Sequence, residues 1–356
     1  MPPNPPTPES ILIVRLGAMG DVLHAMPAVA ALRAALPETH LGWVIERRWS
    51  ELLMSPEGER ATSAGRDLVD AIHVVDTRSW RKHPFRSATM KEIRSALGSL
   101  RAQKYALAID LQGASKSALI AKFSHARSTY GFASPREHLA TMFYSAKVST
   151  RSAHVIDQNL ELCSAAVHHA LAAGEFDLPR SAQVEQWCEK TLKELGIVKF
   201  AILNPGSGWG AKCWPAERFA EVARRLSGSG ILSLVNHGPG EEELADSVAK
   251  LSGSTARPLS TTIPQLTSLT RRASLFIGGD TGPLHLAAAL KVPVVALFGP
   301  TDPLRNGPYG TCSVILRSEL SATSYSHVAA SDPGLQSITA DEVIGAAAQL
   351  LGVSID

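Results

Sequence analysis

Short apolar runs with strand composition alternate along this chain with longer stretches of helical spacing. This alternation is typical of βαβ units, in which helices connect the buried strands of a parallel sheet. It occurs as two series, so the chain is predicted to be α/β, with two doubly wound domains. The predicted strands are residues 11–14, 41–45, 72–75 and 106–109, then 200–203, 231–235, 275–277 and 292–298. The predicted helices are residues 22–36, 89–103, 113–124 and 154–171, then 215–227, 241–251, 265–273, 282–290 and 340–351.

A segment with Gly174 and Pro179 separates the two series and is predicted to be a hinge. We place the domain boundary after residue 175, which gives a first domain of residues 11–175 and a second of residues 176–356. Residues 1–10 are proline-rich and are predicted to be a disordered lead-in without the features of a signal peptide.

The composition narrows the class of protein. Hydrophobic residues make up 45% of the 356 positions and charged residues 19%, which excludes a disordered chain. A net charge of +2 indicates no general affinity for nucleic acid. The four cysteines show neither disulfide-framework nor zinc-ligand spacing, which favours a reducing cytoplasm. With no paired Asp-x-Asp and no apolar window of about 20 residues, we expect no metal site and at most peripheral membrane contact.

The first motif is Arg15-Leu-Gly-Ala-Met-Gly-Asp21-Val-Leu-His24, which follows a predicted strand and opens a helix. Gly17 and Gly20 allow a tight turn beside a ligand, but their spacing is not GxGxxG, which disfavours a dinucleotide-binding oxidoreductase. Asp21 is predicted either to cap the helix or to act as a general base.

The second motif is Asn204-Pro-Gly-Ser-Gly-Trp-Gly-Ala-Lys-Cys-Trp-Pro215, again after a predicted strand. Its glycines and Ser207 offer amides and a hydroxyl to an anion, and Lys212 adds a cation. The motif favours a phosphate-binding loop without the Walker pattern, and the alternative is a flexible loop with a solvated Lys212. Pro215 is predicted to be the first residue of the next helix.

The third motif is Gly278-Gly-Asp280-Thr-Gly-Pro-Leu-His285. Asp280 is suited to accept hydrogen bonds from sugar hydroxyls, and Thr281 with the Gly282 amide is suited to hold a phosphate at a helix N-terminus. The alternatives are that Asp280 or Thr281 only caps the helix and that His285 is a satisfied core histidine.

A basic segment lies between Thr77 and Lys104, with eight lysines and arginines against the single acid Glu92. Its helical part is either a solvated face or part of a binding surface. Its earlier part, Arg78-Ser-Trp-Arg-Lys-His-Pro-Phe-Arg86, is predicted to be a loop. Bases interleaved with aromatic side chains suit an anionic amphiphile at a membrane surface or a single-stranded nucleic acid.

Together with Leu297-Phe-Gly-Pro-Thr-Asp-Pro303, these motifs resemble the ADP-heptose:lipopolysaccharide heptosyltransferases of glycosyltransferase family 9. The resemblance spans residues 10–350, and the first motif and Trp80-Arg81-Lys82 are most similar to the type I enzymes. It implies the GT-B fold, with two Rossmann-like domains facing a central cleft. The N-terminal domain would bind the acceptor and the C-terminal domain the nucleotide sugar.

Carried over to this sequence, the resemblance implies that Asp21 is the general base and that Glu242 meets the ribose, with Glu241 and Glu243 as alternatives. The other implied donor contacts are Ser207, Lys212, Asp280, Thr281, Gly282 and His285. The implied acceptor contacts are Arg81, Lys82, Arg86, Lys116 and Arg136.

The implied reaction is inverting transfer of L-glycero-D-manno-heptose from ADP-heptose to Kdo of the lipopolysaccharide inner core, on a Kdo-lipid A acceptor. We expect no cofactor, no metal and no nucleic-acid partner. The expected location is cytoplasmic, peripheral on the cytoplasmic face of the inner membrane. The alternatives are a type II-like or other GT-B nucleotide-sugar transferase with a different acceptor, and a non-catalytic sugar-nucleotide-binding protein.

Overall fold

The structure is a computed structural model that describes residues 7–324 and 332–355. The first six residues of the predicted disordered lead-in lie outside the described residues, and the first strand begins at Ser10. The chain divides into two compact units, Met1–Pro179 and Arg180–Asp356. Within the first unit, Asp177 pairs with Thr62, and Ser63 donates a hydrogen bond to the Glu175 carbonyl. The segment predicted to be a hinge therefore packs onto the first unit.

The first unit is built around a six-stranded parallel sheet with helices on both faces. Its strands are β1 (Ser10–Val14), β2 (His40–Glu46), β5 (Ala71–Val75), β6 (Leu107–Asp110), β7 (Ser128–Phe132) and β8 (Ala146–Val148), with a small hairpin of β3 (Thr62–Ser63) and β4 (Arg66–Asp67). Its helices are α1 (Met19–Ala35), α2 (Thr77–Lys82), α3 (Ser87–Ala102), α4 (Ser115–Phe123) and α5 (Val155–Val167), with 3₁₀ turns at Arg47–Leu52 and His138–Phe143.

The second unit has the same architecture. Its strands are β9 (Phe200–Asn204), β10 (Leu232–His237), β11 (Ala256–Ser260), β12 (Leu275–Gly279), β13 (Val294–Phe298) and β14 (Ser313–Arg317). Its helices are α6 (Ala182–Glu194), α7 (Ala216–Gly228), α8 (Glu242–Leu251), α9 (Ile263–Arg272), α10 (Gly282–Ala289), α11 (Pro303–Asn306), α12 (Pro333–Ser337) and α13 (Ala340–Leu351), with a 3₁₀ turn at Gly210–Lys212.

Both sheets reverse their strand order at one point. The first has the order β5-β2-β1-β6-β7-β8 and the second β11-β10-β9-β12-β13-β14, with all neighbours parallel. The order reverses between β1 and β6 and between β9 and β12. Ligands of open α/β sheets bind outside the carboxyl ends of the strands at such switch points. The topology therefore gives each unit one favoured binding position.

The central strands are buried because helices cover both faces of each sheet. Ile11, Leu12, Ile13 and Val14 of β1 are fully inaccessible to solvent. Strands that are buried on both faces have sequences that are continuously apolar, not alternately apolar and polar. Each such side chain contributes roughly 1.5–3 kcal/mol by its burial.

The structure differs from the predicted elements in several places. Residues 78–82, predicted to be a loop, form α2 because the Asp76 carboxylate accepts the Ser79 amide and caps the helix. The helix predicted over residues 154–171 ends at Val167, where His168 adopts a left-handed conformation. Pro215 is the N-cap of α7, not its first residue. The elements that the sequence did not predict are the β3–β4 hairpin, β7, β8, β11, β14, α6, α11 and α12.

Candidate active site

Asp21 lies in the first turn of α1, at the switch point of the first sheet. Its Oδ1 is 2.7 Å from Arg15 Nη2, and its Oδ2 accepts the Ala18 amide at 2.9 Å. The side chain of Asp21 remains 37% exposed. A carboxylate has about four lone-pair positions, so acceptor capacity remains on the exposed side. The predicted capping contact is present, and the role of general base stays a prediction.

The five predicted acceptor residues all belong to the first unit. Arg81 and Lys82 lie on α2, Arg86 is the N-cap of α3, and all three are exposed. Lys116 at the start of α4 donates to Thr77 Oγ1 at 3.2 Å and lies 3.7 Å from a Glu46 oxygen.

Arg136 is exposed in the loop after β7, beside Glu137. Hydrogen bonds from Ser115, with smaller contributions from the charges of Arg136 and Lys116, lower the pKa of Glu137. The predicted acceptor residues therefore lie in segments that follow the carboxyl ends of β5, β6 and β7, on the edge of the sheet that also carries Asp21.

In the second unit, the loop after β9 meets the residue after β12 at the switch point. Lys212 Nζ lies 2.6 Å from Asp280 Oδ2 and 3.1 Å from the Asp280 carbonyl oxygen. His285 Nε2 lies 2.9 Å from the other carboxylate oxygen, Oδ1. The ammonium of Lys212 also lies 5.1 Å from the centre of the Trp209 ring. The structure thus brings together three residues that the sequence placed in two separate motifs.

Asp280 is almost wholly buried, with a side chain only 6% exposed. Burial by itself would raise the pKa of this carboxyl. The hydrogen bond and charge of His285, together with the charge of Lys212, hold it well below its usual range. Asp280 is therefore an anion that fixes Lys212 and His285 in place. His285 occupies the position of a satisfied buried histidine, and the donor contacts of both residues stay predictions.

Two further residues that are predicted to contact the donor, Thr281 and Ser207, lie in the segments that carry Asp280 and Lys212. Thr281 is the N-cap of α10 and donates its hydroxyl to the Gly279 carbonyl at 3.2 Å; within the described part of the chain it makes no capping bond to the helix amides. The N-terminus of α10, which begins at Gly282, therefore suits an anion. Ser207 accepts the Trp209 amide at 3.3 Å, which orders the loop before Lys212.

The loop after β10 contributes Glu241, which is predicted from the sequence only as an alternative to Glu242. The Glu241 carboxylate accepts the Gly238 amide at 2.9 Å and lies over Gly206, where an added Cβ would be 2.3 Å from the Glu241 carboxyl carbon. Only glycine permits this approach. Glu242 is exposed and accepts the Gly240 amide at 2.8 Å. Of these two neighbours, Glu241 lies against the loop after β9 that contains Gly206 and Lys212, here called the Lys212 loop. The ribose contact of Glu242 remains a prediction.

A row of hydrogen-bonded polar side chains crosses the ends of β9, β10 and β11, and its two asparagines are buried. Thr261 donates to Asn236 at 3.0 Å, Asn236 donates to Asn204 at 2.7 Å, and Asn204 donates to the Gly206 carbonyl at 3.0 Å. Sequence reasoning missed this row, although an asparagine at the end of two apolar runs was a visible signal. The row holds the start of the Lys212 loop against the sheet.

Within residues 7–324 and 332–355, no group of three or more histidine, cysteine, aspartate or glutamate side chains is arranged to hold a metal ion. The described helices include none that combines the length and apolar character needed to cross a membrane.

The sequence model of Glycosyltransferase family 9 (heptosyltransferase) matches residues 93–332. The chain therefore belongs to this family and is a glycosyltransferase, as the sequence motifs indicated.

Individual relatives extend the likeness to most of the chain. Lipopolysaccharide heptosyltransferase 1 of Escherichia coli (strain K12) is 28% identical over 312 residues, which cover 86% of this chain and 93% of that protein. The structure of E. coli heptosyltransferase WaaC with ADP superposes with a TM-score of 0.76 at 26% identity, covering 96% of this chain and 99% of that one. E. coli WaaC with ADP-2-deoxy-2-fluoro heptose gives 0.72 at 27% identity, covering 94% and 97%. The predicted α/β GT-B fold is confirmed.

Proposed function

We propose that this protein transfers L-glycero-D-manno-heptose from ADP-heptose to Kdo of the lipopolysaccharide inner core, with inversion at the anomeric carbon. Family membership and the similarity to structures bound to ADP and to an ADP-heptose analogue support the donor. Similarity to lipopolysaccharide heptosyltransferase 1 supports the acceptor. The observation that carries the mechanism is Asp21, a half-exposed carboxylate with both oxygens held at a switch point.

Asp21 would remove the proton of a Kdo hydroxyl as that oxygen attacks the anomeric carbon of the heptose. The bond between this carbon and the diphosphate oxygen breaks, and ADP leaves with the electron pair. In the second unit, Lys212 and the N-terminus of α10 would stabilise the charge that develops on the diphosphate. Because the nucleophile and the leaving group stand on opposite sides of the carbon, one such displacement inverts its configuration.

The reaction can be tested with purified protein, ADP-heptose and Kdo-lipid A. We expect release of ADP, a product heavier by one heptose residue in mass spectrometry, and an inverted anomeric configuration in NMR. A matched acceptor that already carries the first heptose should be a poor substrate. Transfer to that acceptor but not to Kdo-lipid A would indicate a type II-like enzyme, and turnover with only another nucleotide sugar would overturn the donor assignment.

We also propose that the protein is cytoplasmic and contacts the inner membrane peripherally through the bend between α2 and α3. Phe85 lies in this bend and is 96% exposed. The exposed cations around it are Arg78, Arg81, Lys82, Arg86, Lys91 and Arg94, none of which forms an ion pair with a described residue. Each cation near an anionic bilayer contributes about 1 kcal/mol to binding, and a buried aromatic ring adds to it. All four cysteines are unpaired, which supports a reducing compartment.

Vesicle sedimentation tests the membrane contact without any catalytic step. We expect the protein to bind vesicles that contain phosphatidylglycerol and not vesicles of phosphatidylcholine alone, with Phe85→Ser weakening the binding about tenfold. Val198→Ser is the matched control, because Val198 is 100% exposed but lies in the second unit, outside the basic segment. Equal binding by both variants would overturn the proposed contact and leave the transferase reaction untouched.

A further inference from the structure

Arg15, the residue directly after β1, has a buried guanidinium beside the half-exposed carboxylate of Asp21. The Arg15 side chain is 7% exposed. Its Nη1 donates to the Leu111 carbonyl, and its Nη2 lies 2.7 Å from Asp21 Oδ1. A planar guanidinium held at one nitrogen has little freedom at the others. The Leu111 carbonyl therefore fixes the Arg15 guanidinium, and the guanidinium in turn fixes the position of Asp21 Oδ1.

The Leu111 carbonyl lies in a fixed loop across the switch point. The loop begins after Asp110, a fully buried carboxylate that accepts the Gln112 and Gly113 amides and the Ser117 and Tyr144 hydroxyls. Gln112 in turn accepts the Leu16 amide at 2.8 Å. The loop after β6 thus holds both Arg15 and the backbone that follows it.

We propose that Arg15 is the positioning residue for the general base, which rests on the proposed function of Asp21. With Oδ1 held by Arg15 and Oδ2 held by the Ala18 amide, the carboxylate has one orientation. Its unused lone pairs then face solvent, where the acceptor hydroxyl must arrive. A small displacement of a catalytic group costs about 100-fold in rate, so this orientation carries much of the effect of the base.

The first unit contains a second ion pair of the same construction, which provides a matched control. Arg33, in the last turn of α1, is 4% exposed and lies 2.6 Å from Asp70, which is 39% exposed. Arg33 also donates to backbone carbonyls, those of Pro37 and Thr39. This pair lies at the start of β2 and β5, the opposite edge of the sheet from Asp21. It thus shares the burial and bonding of the Arg15 pair but lies away from the proposed site.

The experiment compares Arg15→Met and Arg15→Lys with Arg33→Met and Arg33→Lys. Thermal unfolding is expected to show similar losses of stability in the two Met variants. Of the two Met variants, only Arg15→Met should lower kcat, by about 100-fold, with the KM for ADP-heptose unchanged because the predicted donor residues belong to the second unit. Arg15→Lys restores the charge but not the two-nitrogen geometry, so it should recover about a tenth to a third of the wild-type kcat.

Equal kcat in the Arg15 and Arg33 variants, or a loss confined to KM, would overturn the positioning role. If Arg15→Met does not fold, Arg15→Lys against Arg33→Lys decides the question by the same readout. Asp21→Asn, measured in parallel, separates this inference from the proposed function. An active Asp21→Asn would overturn the base itself, whereas an inactive Asp21→Asn with fully active Arg15 variants would overturn only the role of Arg15.

Discussion

Asp21 and Asp280 both lie at the switch point of a sheet with the same strand order, but Asp21 follows β1 and Asp280 follows β12, and their surroundings differ. Each follows a strand at a switch point, and each pairs with a cation, Arg15 at 2.7 Å and Lys212 at 2.6 Å. The side chain of Asp21 is 37% exposed, whereas that of Asp280 is 6% exposed and also bonds His285. Asp21 can therefore still accept a hydrogen bond from the solvent side, whereas both oxygens of Asp280 are bonded within the protein. The same topology thus leaves one carboxylate accessible to solvent in the first unit and buries the other against its partners in the second.

The largest effect should come from Asp21→Asn, which removes the proposed base and keeps the shape of the side chain. We expect kcat to fall about 10³-fold, since general bases contribute 10²–10⁴-fold, while the Kd for ADP stays unchanged. Transfer rates and calorimetric titration with ADP measure the two quantities. Asp70→Asn removes the same charge from the Arg33 pair and should cost stability without this loss of rate. A wild-type rate of transfer in Asp21→Asn would show that the carboxylate of Asp21 does not act as the base.

Asp280→Asn should act mainly on stability. Loss of the buried Asp280 charge that faces Lys212 is expected to lower the free energy of unfolding by about 3–5 kcal/mol at pH 7. Because the pKa of Asp280 is lowered in the folded protein, its contribution is fully present above the unfolded value of about 3.9 and is lost as the pH falls below it.

Denaturant titrations between pH 7 and pH 3 check this prediction for Asp280. The stability gap between the wild type and Asp280→Asn should shrink at the acid end. Asp341→Asn, which breaks the exposed pair with Arg225, is the control and should cost less than about 1 kcal/mol. A gap that stays constant with pH would show that Asp280 does not contribute as an anion.

Lys212→Met should weaken donor binding. A hydrogen bond from a charged group contributes about 1.5–3 kcal/mol, so the Kd for ADP is expected to rise about 10- to 100-fold. Lys190→Met, which alters an exposed helical pair in the same unit, should leave the Kd within a factor of about two. Unchanged affinity in Lys212→Met would assign Lys212 to the support of Asp280 alone.

The smallest effect should come from Gly206→Ala. The new Cβ would displace the Glu241 carboxylate from the Gly238 amide, at a cost of about 1 kcal/mol, the usual value of one hydrogen bond. Gly208→Ala is the control, because nothing lies within 4 Å of the Cβ that it would add. Equal unfolding midpoints for the two variants would show that Glu241 does not need its place over Gly206.

The central strands were predictable because both of their faces are buried, which leaves a continuous apolar run such as Ile11 to Val14. Edge strands carry less of this signal. β11 contains an arginine and a proline, and β8 has only three residues with none of them buried. α6 buries only Cys188, so its apolar stripe was too narrow to detect. Residues 78–82 of the basic segment were wrongly predicted to be a loop because the cap of their helix, Asp76, lies outside the pattern of bases and aromatic residues.

The sequence by itself determined the class of fold, the family and the positions of the candidate groups, because apolar periodicity and motifs that follow strands are local properties. The chain order could not show that Lys212 meets Asp280, which is 68 positions away, or that Arg15 is held by the Leu111 carbonyl 96 positions away. Those contacts arise where strands distant in the chain become neighbours at a switch point. The tertiary structure alone therefore decided which carboxylate is buried and which faces solvent, since burial and charge pairing depend on packing between segments.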